Sequence, residues 1–246
     1  MNKVLVILFL LLCFAGVSAQ QNEDFKVPAE SDYPPLSKRA NRCEDFVPKN
    51  WEIMSKASGD LNKDRAPDCV LVIKGTNAKF LNKNEGLGTQ VYDTNPRMLV
   101  ILFKNSGENQ YELAKQSNSF IIIPESPTMS EPFQEVAIKN GVLQLAFEQW
   151  SSAGSWATAQ MSYKFRFQNG EFVLIGADKT ESMRNTGEME TRSYNFLTRK
   201  VRIENANFSS DKKGRVKWRA FKLEKLKTFD TLKAPFEWEI EPDYYI

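Results

Sequence analysis

The 246-residue sequence predicts a mainly β protein. The expected form is an antiparallel meander of sequential hairpins, as an open sheet, a sandwich or part of a barrel, with one or two short helices. Two observations carry this. Apolar and polar residues alternate with a period of two, as in residues 161–168, where Tyr163, Phe165 and Phe167 share one face. Asn-Gly pairs, Asn140-Gly141 and Asn169-Gly170, separate such runs, and a type I′ hairpin turn needs positive φ at both central residues.

The chain opens on a targeting segment. Lys3 supplies a positive n-region, residues 4–12 are unbroken and apolar, and residues 16–19 (GVSA) offer small side chains for cleavage. That layout is a secretory signal peptide over residues 1–20. The apolar run is shorter than the roughly 20 residues that span a bilayer. Bulky Leu11 and Leu12 before Cys13 disfavour a lipoprotein anchor. No later stretch is long and apolar enough to span a membrane, so the processed chain is expected to be secreted or periplasmic, with no transmembrane segment. Residues 21–42 are polar, contain Pro28, Pro34 and Pro35, and show no periodicity, which predicts a disordered leader. Residues 43–246 are expected to form a single β-rich domain.

Within that domain, residues 46–53 carry Phe46, Trp51 and Ile53 in a short extended segment or a single turn. Residues 70–74 are an apolar β-branched run, the mark of a central strand. Residues 75–95, rich in Asn, Gly, Lys and Thr, read as a long loop. Residues 97–104 (RMLVILFK) pair with residues 111–115 across a polar turn. Residues 134–139 with 142–149 make the clearest hairpin, and residues 161–168 with 172–177 make the next. Residues 188–196 and 200–205 make a third, and residues 215–227 alternate basic and apolar side chains. The tail holds Trp238, Ile240, Tyr244 and Tyr245 and is expected to dock, because its aromatic area is large. The total is about nine to eleven strands.

Composition excludes several function classes. The chain has no histidine. That removes the commonest general base and zinc ligand, and with them Ser-His-Asp and Cys-His catalysis in their usual forms. The formal net charge is +2, or about +1 once Lys3 is removed, and basic residues are mixed with acidic ones apart from Lys212, Lys213, Arg215 and Lys217. This balance argues against nucleic acid as a partner. Of the three cysteines, Cys43 and Cys69 survive processing. In an oxidising compartment they are expected to pair, the alternative being two buried thiols. Such a bridge is worth roughly 3–4 kcal/mol.

One stretch carries recognisable chemistry. Residues 59–72 read GDLNKDRAPDCVLV, with Asp60, Asn62 and Asp64 at alternate positions and Asp68 just before an apolar run. Ca²⁺ takes six to eight oxygens, and alternate side chains of a curled loop converge on one point. Asp60, Asn62 and Asp64 fit the first, third and fifth positions, the carbonyl of Ala66 the seventh, and Asp68 the ninth. The stretch resembles the calcium loop of FG-GAP/VCBS-type repeats. A wider frame, roughly residues 44–205, resembles bacterial secreted domains of unknown function; it includes Phe46-Val-Pro, Trp51-Glu-Ile53, residues 97–102, residues 165–170 and residues 194–198. The resemblance implies a non-enzymatic secreted domain with one structural Ca²⁺. Arg65 departs from the pattern, which has Gly there, and positive φ at such a residue costs about 1–2 kcal/mol. The alternative for the same loop is an acidic turn held by Asx hydrogen bonds. The motif occurs once, which argues against a multi-blade propeller.

Two further features are candidates for binding or chemistry. Trp150 and Trp156 bracket a small-residue linker, WSSAGSW, and are either a platform for a sugar ring or partner protein, or a pair folded onto the sheet edge. Glu181, Glu188 and Glu190 stand near Arg184 and Arg192 in sequence, and paired carboxylates run glycoside hydrolysis when their spacing is right. Asn207-Phe-Ser209 is a glycosylation sequon by pattern. The functional expectation is a binding or interaction module for a glycan or an envelope protein. The alternative is a carbohydrate-active hydrolase using paired carboxylates.

Overall fold

The computed structural model describes residues 25–105 and 107–246, so the expected signal peptide, with Cys13, lies outside the described residues. In chain order the strands are β1 (Arg39–Ala40), β2 (Trp51–Gly59), β3 (Asp68–Gly75), β4 (Leu81–Lys83), β5 (Val91–Asp93), β6 (Arg97–Lys104) and β7 (Tyr111–Ser117). There follow β8 (Phe133–Lys139), β9 (Val142–Gln149), β10 (Ala157–Gln168), β11 (Glu171–Met183), β12 (Glu188–Asn195), β13 (Lys200–Asn207) and β14 (Arg215–Ala220). A short helix α1 (Phe229–Leu232) and a terminal hairpin of β15 (Glu239–Glu241) and β16 (Tyr244–Tyr245) complete the chain. The protein is mainly β, antiparallel and open, not closed into a barrel.

Two sheets make the body. The smaller has five strands in the order β1-β7-β6-β3-β2, and the larger is a seven-stranded meander from β8 to β14 in sequence order. They meet where β2 lies against β8. The approach is close, since a Cβ on Gly59 would sit 2.6 Å from Cγ2 of Ile138. The predicted turns do their work: Asn140 and Gly141 have φ of 53° and 71°, and Asn169 and Gly170 have 53° and 81°.

β3 and β6 read as unbroken apolar runs because both their faces are covered. Val70, Val72, Leu99 and Ile101 face the large sheet. Cys69, Leu71, Ile73, Met98, Val100 and Leu102 face the other way, into a second core with Cys43 and Phe46. That second core needs a lid, and the N-terminal segment supplies it. Tyr33, Leu36 and Ala40 pack on the cluster, and Arg39 and Ala40 pair with Glu112 and Tyr111 of β7. Residues 25–42, expected as a disordered leader, are therefore laid against the sheet. The Cys43–Cys69 disulfide, with Cα atoms 6.4 Å apart, ties the lid to β3.

Three other segments differ from expectation. Residues 51–59 form a nine-residue strand, which bears out the extended alternative for residues 51–53 and carries it six residues further. The loop at residues 75–95 contains the β4–β5 hairpin. β10 and β11 run for 12 and 13 residues, well past the expected hairpin.

The main core lies between the sheets and is aromatic. Phe120, from the connection after β7, packs 5.5 Å from Tyr163 and from Phe165, and Phe165 stacks on Phe229 at 4.0 Å. The tail docks here as expected. Trp238 and Ile246 exchange both backbone hydrogen bonds, and the Tyr163 hydroxyl accepts from the amide of Phe236 at 2.9 Å.

Candidate functional site

Antiparallel register carries three successive rows across the inner face of the large sheet. The first joins Tyr163, Ala177, Tyr194 and Val201. All four are buried in the main core. The second joins Met161, Lys179, Arg192 and Ile203. The third joins Ala159, Glu181, Glu190 and Asn205. The strands outrun their cover, so the face turns from apolar to charged within three rows.

The terminal hairpin roofs the second row. Tyr244 lies under both cations, with Nζ of Lys179 4.5 Å and Cζ of Arg192 3.7 Å from its ring centre. Lys179 Nζ donates to the carbonyl of Tyr245 at 2.8 Å. Glu241 accepts from Arg192 at 3.1 Å, from the Tyr194 hydroxyl at 3.1 Å and from Arg219. Burial pushes the phenols of Tyr194 and Tyr244 well above the ordinary tyrosine value. This row is a clamp for the tail.

The third row lies beyond that roof. Glu181 and Glu190 stand opposite each other across β11 and β12, and each is engaged by a cation two residues away on its own strand. Lys179 Nζ is 2.8 Å from Glu181 Oε1, and Arg192 Nε is 2.6 Å from Glu190 Oε1. Above them opens a trough of about 1050 Å³. Asn205 and Asn207 extend its floor, the exposed Lys212, Lys213 and Arg215 line it, and Met129, Ser151 and Ser155 line it too.

The Trp150–Trp156 linker stands at this rim, but it is not a bare platform. The Arg184 guanidinium lies between the rings, 5.0 Å from Trp150 and 5.7 Å from Trp156. It also donates to the carbonyls of Ser151 at 2.7 Å and Ser155 at 2.5 Å. Trp150 is half-buried, whereas Trp156 keeps 61% of its surface exposed. Arg184 thus fixes the loop shape and leaves one indole face to solvent.

The acidic loop does not bring the expected five calcium ligands together as one set. Asp68 is fully buried and turned inward. Its Oδ2 accepts from the amides of Leu61 at 2.7 Å and Asn62 at 3.3 Å, and its Oδ1 accepts from the amide of Lys104 on β6 at 2.9 Å. Burial pushes this carboxyl up, and the three amides pull it back in part. Toward solvent, Asp60 accepts from the amides of Lys63 and Arg65, Asn62 from that of Asp64, and Asp64 from that of Ala66. Lys63 and Arg65 take positive φ, 67° and 73°. The curl anticipated for calcium is present and is closed by Asx hydrogen bonds. Among the described residues no three Asp, Glu or Cys side chains converge as a metal-holding group.

The trough was only partly marked in the sequence. Lys212, Lys213 and Arg215 stood out as a basic cluster and Glu181 and Glu190 as acidic neighbours, but Lys179 and Asn205 carried no signal. The period-two alternation past residue 177 was the available clue, since it continues with charged residues on the inner face. No family model, curated protein or solved structure matches the chain.

Proposed function

We propose that the chain is an extracytoplasmic binding module that takes a neutral, hydroxyl-rich oligosaccharide in the trough beyond the terminal hairpin. The observation that carries this is the third row. Glu181, Glu190 and Asn205 continue a core face into an open, polar floor where strands have no cover. Serine and asparagine side chains and the carboxylates of Glu125, Glu181, Glu188 and Glu190 offer donors and acceptors suited to sugar hydroxyls. Met129 and Met183 offer apolar surface in the lining, and the exposed Trp156 stands next in sequence to the lining residues Ser155 and Ala157. The Cys43–Cys69 disulfide supports an oxidising compartment, in keeping with the signal-peptide reading of residues 1–20.

In this reading the loop at residues 59–68 is a brace. A Ca²⁺ ion there would have the exposed Asp64 and the half-buried Asp60 and Asn62 within the loop, with Ala66 buried beneath them, and would tighten a curl already closed by amides. Glycan-array binding by the processed chain tests the proposal. Retention of neutral oligosaccharides supports it, and an array without a single retained glycan sinks it.

The juxtaposition of Glu181 and Glu190 favours one second reading, a hydrolase. Directly opposed residues hold their Cβ atoms about 4.5–5.5 Å apart, and hydrolysis needs one carboxyl of a pair as proton donor. Here each already accepts from its own cation, so binding without turnover is the leading reading. Cleavage of an array-positive glycan, lost in Glu181→Gln and Glu190→Gln, would reverse that order.

A further inference from the structure

The opposite face of the same sheet carries a second constellation. Register places Lys164, Gly176, Asn195, Lys200 and Ala220 in one outer row. The adjacent row holds Ser162, Asp178, Ser193, Arg202 and Trp218. Small residues occupy the middle, with Gly176 flanked by Asn195 and Ser193. Long cations and one indole stand around them. The result is a hollow of about 860 Å³.

The charge is one-sided. Lys164, Arg166, Lys200 and Arg202 border the hollow against the single carboxylate of Asp178, which Lys164 engages at 2.6 Å. Glu204, next along β13, takes one side of Arg202 at 2.8 Å. Arg219 also lines the hollow, but its guanidinium reaches Glu241 on the inner side. Arg166 and Lys200 have no ion-pair partner among the described residues. Trp218 faces Arg202 across β13 and β14 and keeps 66% of its surface exposed. A large aromatic left open on an edge strand gains nothing for the fold.

We infer that this hollow binds an acidic sugar, with the ring of a uronate or sulfated residue lying on Trp218 and its anionic group held by Arg202, Lys200 and Arg166. An indole offers an apolar face to the C–H side of a sugar ring. Guanidinium groups match carboxylate and sulfate geometry through paired N–H donors. Asn195 and Ser193 on the floor are suited to hydroxyls. Trp218 is the one exposed aromatic of the lining, Tyr194 being buried, and this speaks against single-stranded nucleic acid, which stacks successive bases on several rings. The site stands independently of the trough, on the other face of the sheet.

Calorimetry with the processed full-length chain tests it, using a galacturonate hexamer, a heparin-derived hexasaccharide and neutral maltohexaose as probes. The inference expects at least one acidic hexamer to bind in a Trp218-dependent way at low salt, and any maltohexaose binding to be independent of Trp218. Trp218→Ala and the double variant Lys200→Gln/Arg202→Gln each weaken that binding by tenfold or more. Trp218→Phe, which keeps an aromatic face on the edge strand, retains it within about threefold. Trp156→Ala, at the other site, leaves it unchanged. Absence of acidic-hexamer binding, maltohexaose binding that Trp218→Ala weakens to the same degree, or insensitivity of acidic-hexamer binding to Trp218→Ala would overturn the inference. So would tighter binding of a single-stranded DNA of matched charge, since that is polyanion attraction without sugar recognition.

Discussion

The same four strands, β10 to β13, build two unlike surfaces on one face. In the covered half their inward row is Tyr163, Ala177, Tyr194 and Val201; two rows further along it is Ala159, Glu181, Glu190 and Asn205. Backbone, register and twist are shared, so the difference lies in cover alone. Where Phe120, Phe229 and the tail close over the sheet, apolar area leaves water and stabilises the fold. Where nothing closes over it, the strands still hold their geometry because the covered half holds it for them. A binding floor set on the extension of a rigid core is better placed than one on a loop.

Substitutions should separate the two halves sharply. The largest effect belongs to the covered half. Phe165→Ala removes a fully buried ring stacked on Phe229 and should cost about 3–5 kcal/mol in urea denaturation. Next comes the brace. Asp68→Ala leaves the amides of Leu61, Asn62 and Lys104 without their acceptor and should cost about 2–4 kcal/mol by the same measurement. The clamp between the halves comes third. Glu241→Ala removes the shared acceptor of Arg192, Arg219 and the Tyr194 hydroxyl and should cost about 1–3 kcal/mol. Hydrogen exchange should then show the terminal hairpin opening while β10 stays protected. In the uncovered half, Glu181→Gln should change stability by no more than about 0.5 kcal/mol. A cost as large as that of Phe165→Ala would mean the third row is a structural layer. Calcium tests the brace from the other side. At 10 mM, a site with Kd of about 10⁻⁴–10⁻³ M would stabilise by roughly 1.4–2.7 kcal/mol. A brace closed by amides predicts a smaller shift than that, read as melting temperature with Ca²⁺ against EDTA.

How much of this was legible depends on whether the cause is local. Asn140-Gly141 and Asn169-Gly170 announce their hairpins because turn chemistry is local. The length of β2 was hidden: residues 51–53 read as extended, but beyond them the exposed Lys56 and Ser58 on an edge strand mask the apolar face. The docking of residues 25–42 was hidden because their partner surface, Leu71, Val100 and Leu102, lies more than thirty residues away and reads as ordinary strand. The acidic spacing correctly foretold a tight curl. It did not show that Asp68 faces inward, because its partner at Lys104 comes from another strand. Trp150 and Trp156 were visible as a pair, but not the Arg184 that fills the space between them. Glu181 and Glu190 become neighbours only through the register of β11 and β12, which no spacing rule supplies.

The central claim is that the uncovered row is a binding floor. Its most direct test fills the trough without touching the core: Asn205→Trp, on an exposed position of β13, compared with wild type on the same neutral-glycan array. The account predicts a loss of glycan retention of tenfold or more with the melting temperature unchanged. Undiminished retention by the Asn205→Trp variant would contradict it.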